Sequence, residues 1–233
     1  MKINEPQQRL LSLYGNVDNS FNELISKYIK GKNILDLGCG YGALVNYLNK
    51  SGYNILGIDH DKDSINKGKK IFGNINIKIG TIDGLSLQTK FDTIILKDCI
   101  HHIYGESTDP IEAFSKIHNL LTPKGRIIIF DPNINLIIKI ARFLIKHKDP
   151  ECSFKNAIKL LEQTNFKILE TEYYDTFGIA LSGGYVGPKF IPNNKTINQL
   201  VQFLNHNTSK LINYFKLEKY ICWRYLICAE RIN

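Results

Sequence analysis

Ile34-Leu35-Asp36-Leu37-Gly38-Cys39-Gly40-Tyr41-Gly42 is the stretch on which the fold turns. An apolar strand runs here into glycines that open a helix. Without side chains the loop backbone lets a ligand approach closely, and the N–H groups at the start of the helix point at it. About 20 residues further on, Asp59 closes a second apolar strand, where an acid accepts hydrogen bonds from the two hydroxyls of a ribose. Together these features indicate a cofactor of the adenosine type.

The same alternation continues outward. Strands are expected at Asn33–Leu37, Asn54–Asp59, 75–79, 91–96 and 126–130. Helices are expected at 41–50, at a lysine-rich 61–72, and from Asp109, an N-cap with Pro110 behind it, to Leu121. Upstream, Phe21, Leu24, Ile25, Tyr28 and Ile29 have helical spacing. That pattern predicts a helix over 19–30, with Ser20 and Glu23 in capping-box spacing and Gly31 as its stop. Short apolar strands alternating with helices predict an α/β fold: a doubly wound, Rossmann-like sheet of seven strands. The last elements are helices at 134–146, Phe154–Gln163 and 195–215, and strands at Phe166–Tyr174 and 220–229, with a glycine-rich stretch at 178–187. They fit a mostly parallel sheet with one antiparallel strand near its edge. The expected organisation is an N-terminal helical lid (1–30) before the main domain (31–233), in which 134–165 and 176–217 cap the acceptor side. Such sheets bind ligands beyond the carboxyl ends of their strands, so the residues that matter should follow each strand.

Composition narrows the class. The chain has 233 residues, 43% hydrophobic and 22% charged, which suits one sizeable globular domain and not a disordered chain. No uncharged apolar run reaches the roughly 18 residues that span a bilayer. The polar first ten residues lack a signal-peptide core, so the expected location is cytoplasmic. Five cysteines without CxxC spacing predict free thiols, and no metal site is expected. Thirty Lys+Arg against 22 Asp+Glu give a formal charge of +8, mostly from lysine.

Asp36 decides among adenosine cofactors. Gly38, Gly40 and Ala43 also meet the looser dinucleotide pattern GxGxxG/A. An acid just before the glycines repels a pyrophosphate, but attracts an ammonium and a sulfonium. The block resembles motif I of the class I S-adenosylmethionine-dependent methyltransferases, an acid followed by GxGxG. The resemblance extends over about residues 30–132. Residues 54–61 resemble the family's second strand, residues 80–85 the loop at the adenine edge, residues 91–103 the fourth strand and its turn, and residues 121–126 the approach to the fifth. One departure is Thr81, which stands where the family often has Asp; Asp83, two positions on, is the substitute candidate.

The resemblance implies S-adenosyl-L-methionine as cofactor. It places Gly38 and Gly40 at the methionine end with Asp36 near its amino group, Asp59 at the ribose, and Ile82 and Asp83 beside the adenine, with Cys39, His60 and Leu96 as further cofactor-binding candidates. Tyr14 lies where some relatives fold an N-terminal aromatic over the cofactor; core packing is the other reading. Methyl transfer from a sulfonium needs alignment first, and a base only for a protonated acceptor. Candidate bases after strand four are His101 and His102; Asp98 there is expected to bind an acceptor or fix a histidine tautomer, and Asp131 and Asn133 after strand five to face the same crevice, with capping of turns and helices as the other reading.

The acceptor is narrowed by absence. The Asn/Asp-Pro-Pro-aromatic run of adenine-N and glutamine-amide enzymes is missing after strand four, where the sequence reads Leu96-Lys97-Asp98-Cys99. Cys99 lacks the preceding Pro of many pyrimidine-C5 enzymes and reads as a structural thiol. No nucleic-acid-binding appendage is visible, so the expected acceptor is a small or lipophilic metabolite and not DNA or RNA. An RNA methyltransferase, a nicotinamide dehydrogenase and a cofactor-binding protein without activity remain as alternatives, and the oligomeric state stays open. The helix at 134–146 is apolar around most of its circumference, with Lys139, Arg142, Lys146 and Lys148 as cations; it is expected either as a lid or, through 134–148, as a peripheral membrane contact.

Overall fold

The computed structural model describes residues 5–86, 88–106, 109–144, 151–183, 191–192 and 194–232. Its elements are α1 (Glu5–Leu10), α2 (Leu13–Ser26), β1 (Asn33–Leu37), α3 (Ala43–Lys50), β2 (Asn54–Asp59), α4 (Lys62–Phe72), β3 (Ile77–Ile79), a 3₁₀ turn (Ile82–Gly84), β4 (Phe91–Lys97), α5 (Ile100–Glu106), α6 (Pro110–Leu120) and β5 (Leu121–Pro132). Then come α7 (Leu136–Leu144), α8 (Phe154–Gln163), β6 (Phe166–Tyr174), α9 (Gly178–Ser182), α10 (Lys195–Tyr214), α11 (Glu218–Ile221) and β7 (Arg224–Arg231).

The seven strands form one sheet in the order β3-β2-β1-β4-β5-β7-β6. β1 pairs in parallel with β2 and β4, β2 with β3, and β4 with β5. β7 is the exception to the parallel run. Asn133 N–H, just past β5, donates to Trp223 O just before β7, and Ile232 N–H, just past β7, donates to Asn165 O just before β6. Those contacts arise where β7 runs against its neighbours, so the sheet is α/β, mostly parallel and antiparallel near one edge. Central strands are buried on both faces. Ile34, Leu35, Ile94, Ile95, Ile127, Ile128 and Ile129 are all closed to solvent, as continuous apolar runs between helical layers should be.

By contact density the chain forms two units. One comprises Ile25–Asp131, Asp149–Thr171 and Leu226–Asn233, and carries most of the sheet. The other comprises Met1–Leu24, Pro132–Lys148 and Glu172–Tyr225. In this second unit Asp175 is fully buried in left-handed backbone and caps α9 by accepting from Ile179 N–H. Asn205 Nδ2 donates to the same carboxylate at 2.8 Å, while Asn205 Oδ1 accepts from the N–H groups of Thr176 and Phe177.

Several boundaries differ from the sequence expectation. α2 begins six residues before 19 and buries Leu13, Tyr14 and Val17 as well as Phe21, Leu24 and Ile25. Ser20 is therefore not an N-cap: it lies mid-helix, and its hydroxyl donates to Asn16 O. Nor does Gly31 stop the helix, which ends at Ser26. Gly31 has φ +70 in the link to β1, and a side chain there would strike the Asp92 carboxylate, which accepts from Lys32 and Asn33 N–H. α5 and α11 were not anticipated. Residues 145–146 of the expected helix, 147–148 of the expected membrane-contact stretch and 184–187 of the glycine-rich stretch lie outside the described residues.

Two outcomes follow. In exposed helices Gly→Ala stabilises by about 1 kcal/mol. Gly68→Ala in α4 should do the reverse, because its Cβ would land on the Tyr41 carbonyl; urea unfolding should show a loss of roughly 1–3 kcal/mol. Burial pushes the Asp175 carboxyl up to about 6, against the lowering effect of Ile179 N–H, Asn205 and Arg224. An acid whose folded pKa is raised makes the fold lose stability as pH rises from about 4 to 6, here on the order of 3 kcal/mol. Thermal unfolding against pH should therefore be flatter over that range in Asp175→Asn than in the parent.

Candidate functional site

The loop after β1 is built by backbone hydrogen bonds. Gly38 and Cys39 N–H both donate to Ile58 O, at 2.9 and 3.1 Å, which folds the loop over the end of β2. Gly38, Gly40 and Gly42 all have left-handed φ (78, 53 and 82). A Cβ at Gly38 would meet the Cys99 side chain, whereas a Cβ at Gly40 would meet nothing within 4 Å. Gly38 is thus a packing glycine, and Gly40 is the one whose backbone faces open space.

Asp59 locks this loop. Its Oδ2 accepts from Gly40 N–H at 2.7 Å and its Oδ1 from Asp61 N–H at 2.8 Å. Its own carbonyl accepts from Gly80 N–H at 2.9 Å, joining the end of β3 to the same point. Two bonds hold the carboxylate, and each oxygen keeps a further lone pair for a hydroxyl donor. His60 beside it is exposed, its Nδ1 3.7 Å from Asp59 Oδ1.

Four carboxylates end four neighbouring strands. Asp36 on β1 and Asp131 on β5 are each 1% exposed, Asp59 ends β2, and Asp98 follows β4 in left-handed backbone, its N–H donating to Phe130 O. Their field shows in two thiols. Burial, then Asp36 and Asp59, push the Cys39 thiol well above its ordinary range. Burial, then Asp131, Asp36, Asp59 and Asp98, do the same for Cys99, which keeps it a neutral thiol and a poor nucleophile. A negative field of this kind repels phosphate and favours a cation.

His101 and His102 open α5, with ring centroids 4.4 Å apart. The two separate in role. His101 is 5% exposed, and its Nδ1 lies 2.9 Å from both oxygens of Asp131. An ionised carboxylate only accepts, so Nδ1 carries the proton and Nε2 is the basic nitrogen. The pairing of β4 with β5 sets this contact, since it brings the ends of the two strands together. Sequence reading placed Asp131 at the strand end but did not join it to His101; adjacency of the fourth and fifth strands was the available signal.

The remaining predicted residues are dispersed. Ile82 is half-buried in the 3₁₀ turn, and Asp83 beside it accepts from Lys116 Nζ at 2.6 Å, Lys116 also pairing with Glu112. Leu96 is enclosed within β4, and Tyr14 is buried in α2 of the other unit. Asn133 Nδ2 donates to Lys219 O and Cys222 O, a structural use in place of the crevice role expected for it. Among the described residues no group of three His, Cys, Asp or Glu side chains gathers as metal ligands would.

Comparison with known proteins gives one consistent result. The family described as "Methyltransferase domain" matches residues 29–180. The ubiquinone biosynthesis O-methyltransferase of Actinobacillus pleuropneumoniae serotype 7 is 30% identical over 125 residues, covering 49% of this chain and 51% of that one. The mitochondrial enzyme of the same name from Schizosaccharomyces pombe is 24% identical over 117 residues, covering 47% and 41%. The chain thus spans about half the length of these curated relatives, or less. Among solved structures, a SAM-dependent methyltransferase from Archaeoglobus fulgidus superposes with a TM-score of 0.66 at 18% identity, covering 93% of this chain and 94% of that one. Magnesium protoporphyrin IX methyltransferase from Synechocystis PCC 6803, with bound SAH, gives 0.59 at 14% identity, covering 100% and 90%. These structural likenesses concern the fold.

Asp131→Ala strips the carboxylate from a buried imidazole N–H and should cost about 1–3 kcal/mol in urea unfolding. Asp131→Asn, whose amide oxygen still accepts, should cost less. Equal losses for the two would remove the hydrogen bond as the cause.

Proposed function

The chain belongs to the methyltransferase-domain family, the class I group that uses S-adenosylmethionine, and from that premise we propose that it transfers a methyl group to an oxygen, nitrogen or carbon of a small or lipophilic metabolite. The observation that carries the reading is the set of strand-end carboxylates Asp36, Asp59, Asp98 and Asp131 around a glycine loop whose Gly40 faces open space. The acid field suits a ligand with a sulfonium and an ammonium, and the bare backbone suits close approach. The residues therefore fit the cofactor.

When bound, the cofactor supplies an activated methyl on positive sulfur. The chain's own groups hold and align. Gly38, Cys39 and Gly40 shape the methionine end, with Asp36 near its ammonium. Asp59, already fixed by Gly40 and Asp61, accepts from the ribose hydroxyls, with His60 flanking. Ile82 borders the adenine. Asp83 is in an ion pair with Lys116 and adds polarity at that edge. Alignment of this kind is worth roughly 7–11 kcal/mol of a barrier in favourable cases.

His101 is the base for a hydroxyl acceptor. Its Nε2 would take the proton that the acceptor oxygen loses as the methyl passes from sulfur to oxygen, the S–C bond breaking with its electron pair left on a neutral thioether, and Asp131 would stabilise the resulting imidazolium. Asp98 and His102 serve as positioning groups. The small-molecule acceptor draws support from the ubiquinone-pathway O-methyltransferases among the relatives.

Calorimetric titration with S-adenosylhomocysteine should give saturable binding, and Asp59→Ala should weaken it at least about tenfold, equivalent to ~1.4 kcal/mol. No heat at high micromolar ligand in the parent would overturn the cofactor assignment. Undiminished binding in Asp59→Ala would overturn the ribose role alone.

A further inference from the structure

Helix α7 is turned inside out for a helix of a globular unit. At 100° per residue, Leu136, Ile137, Ile140, Phe143 and Leu144 share one continuous arc, and every one of them is exposed, Leu136 at 72% and Phe143 at 82%. The opposite side holds Ile138, its one fully buried residue. Lys139 flanks the apolar arc, half-buried Arg142 lies on the side of Ile138, and the helix has no acid. Side-chain hydrogen bonds hold it within its unit. Asn135 Oδ1 caps it by accepting from Ile138 N–H, Asn135 Nδ2 donates to Cys222 O, and Asn133 Nδ2 donates to Lys219 O and Cys222 O. These bonds clamp the start of α7 to α11, where Tyr220 is exposed and Lys219 lies over its ring.

The inversion recurs in α10. Its inner face buries Asn198, Asn205 and Ser209 along with Val201, while Leu200, Phe203, Leu204, Leu211 and Tyr214 are exposed. Charge follows the same bias. Across residues 132–144 and 194–220 there are six Lys or Arg and one acid, Glu218, against 30 and 22 in the whole chain.

We propose that this apolar and basic surface, with α7 at its centre, docks on the headgroup region of an anionic lipid bilayer. Large apolar side chains set among lysines are the composition of helices that lie in that interface: the apolar arc enters the acyl boundary while flanking cations meet lipid phosphates. A second copy of this chain is the poorer occupant, because it would bring one cation-rich face against another. α7 has 9 residues, and no helix among the described residues is long and apolar enough to cross a membrane. The contact is therefore peripheral and reversible.

Co-sedimentation with large vesicles tests this on the whole chain. The protein should pellet with phosphatidylcholine–phosphatidylglycerol vesicles, much less with phosphatidylcholine alone, and binding to the mixed vesicles should fall as salt rises. The double variant Ile140→Ser with Phe143→Ser should lower the partition coefficient at least about fivefold, and Lys139→Glu should lower it on the anionic vesicles only. Both variants should keep the parent's affinity for S-adenosylhomocysteine, so failure here and failure of the cofactor assignment are told apart. Three outcomes overturn the proposal: no binding to the anionic vesicles, unchanged binding in the double variant, or a concentration-dependent dimer that Phe143→Ser dissociates.

Discussion

The hydrogen bond from Gly40 N–H to the Asp59 carboxylate, 2.7 Å long, is the constraint on which the rest of the site depends. It joins the loop after β1 to the end of β2, and the Gly80 N–H bond to the Asp59 carbonyl adds the end of β3. Three crossover connections are thereby drawn to one residue. The arrangement works because the loop can turn left-handed at Gly38, Gly40 and Gly42, which β-carbons would oppose. It also explains why an acid ends β2. A neutral side chain there offers a single accepting oxygen, so it could not hold the loop with one oxygen, cap the following turn with another, and leave lone pairs pointing outward. Under the proposed function, structure and binding draw on the same carboxylate.

Clustered acid is costly, and the molecule compensates locally. Asp36 and Asp131 are nearly closed to water, where a charge loses solvation. Asp131 answers this with His101, whose N–H bridges both of its oxygens. The thiols of Cys39 and Cys99 stay protonated in the same field, so neither adds a charge. What remains is a negative region at the carboxyl end of the sheet, completed electrostatically by a positive ligand. That distinguishes this glycine loop from a phosphate-binding one, in which the same backbone geometry is surrounded by neutral or basic groups.

The part of the chain that reads well from sequence is the part whose partners are close in sequence. β2, α8 and β6 have the expected bounds because each is delimited by glycine, capping or turn residues next to it: Ser153 accepts from Asn156 N–H and Asp61 from Asp63 N–H. The glycine loop and its acids read well for the same reason. Where a long-range contact decides, sequence misleads. Ser20 and Glu23 satisfy a capping pattern, yet Leu13, Tyr14 and Val17 find a core to bury against and carry the helix back through Gly15 and Asn16. The His101–Asp131 pair spans 30 residues and exists because β4 lies beside β5, an adjacency that no local pattern records. Asn133, a plausible ligand by position, is instead taken up by the carbonyls of Lys219 and Cys222, 86 and 89 residues away.

The second unit is the least legible, because its pattern is inverted. Apolar periodicity in α7 and α10 is read by default as a core-facing stripe. In α10 Asn198, Asn205 and Ser209 turn inward, and Asn205 gives four acceptor contacts to residues 176–178 through its Oδ1. Asn205 also holds Asp175, whose carbonyl accepts from Trp223 N–H just before β7. The unit is thus fastened by a buried polar network and leaves much of its apolar area outside. Around Asp175 and Asn205, directional hydrogen bonds fix the fold beside an apolar core that includes Tyr14, Val17, Phe21 and Tyr225. They also release the apolar side chains from a packing role. A unit built this way can present hydrophobic surface to something other than itself without losing its own structure.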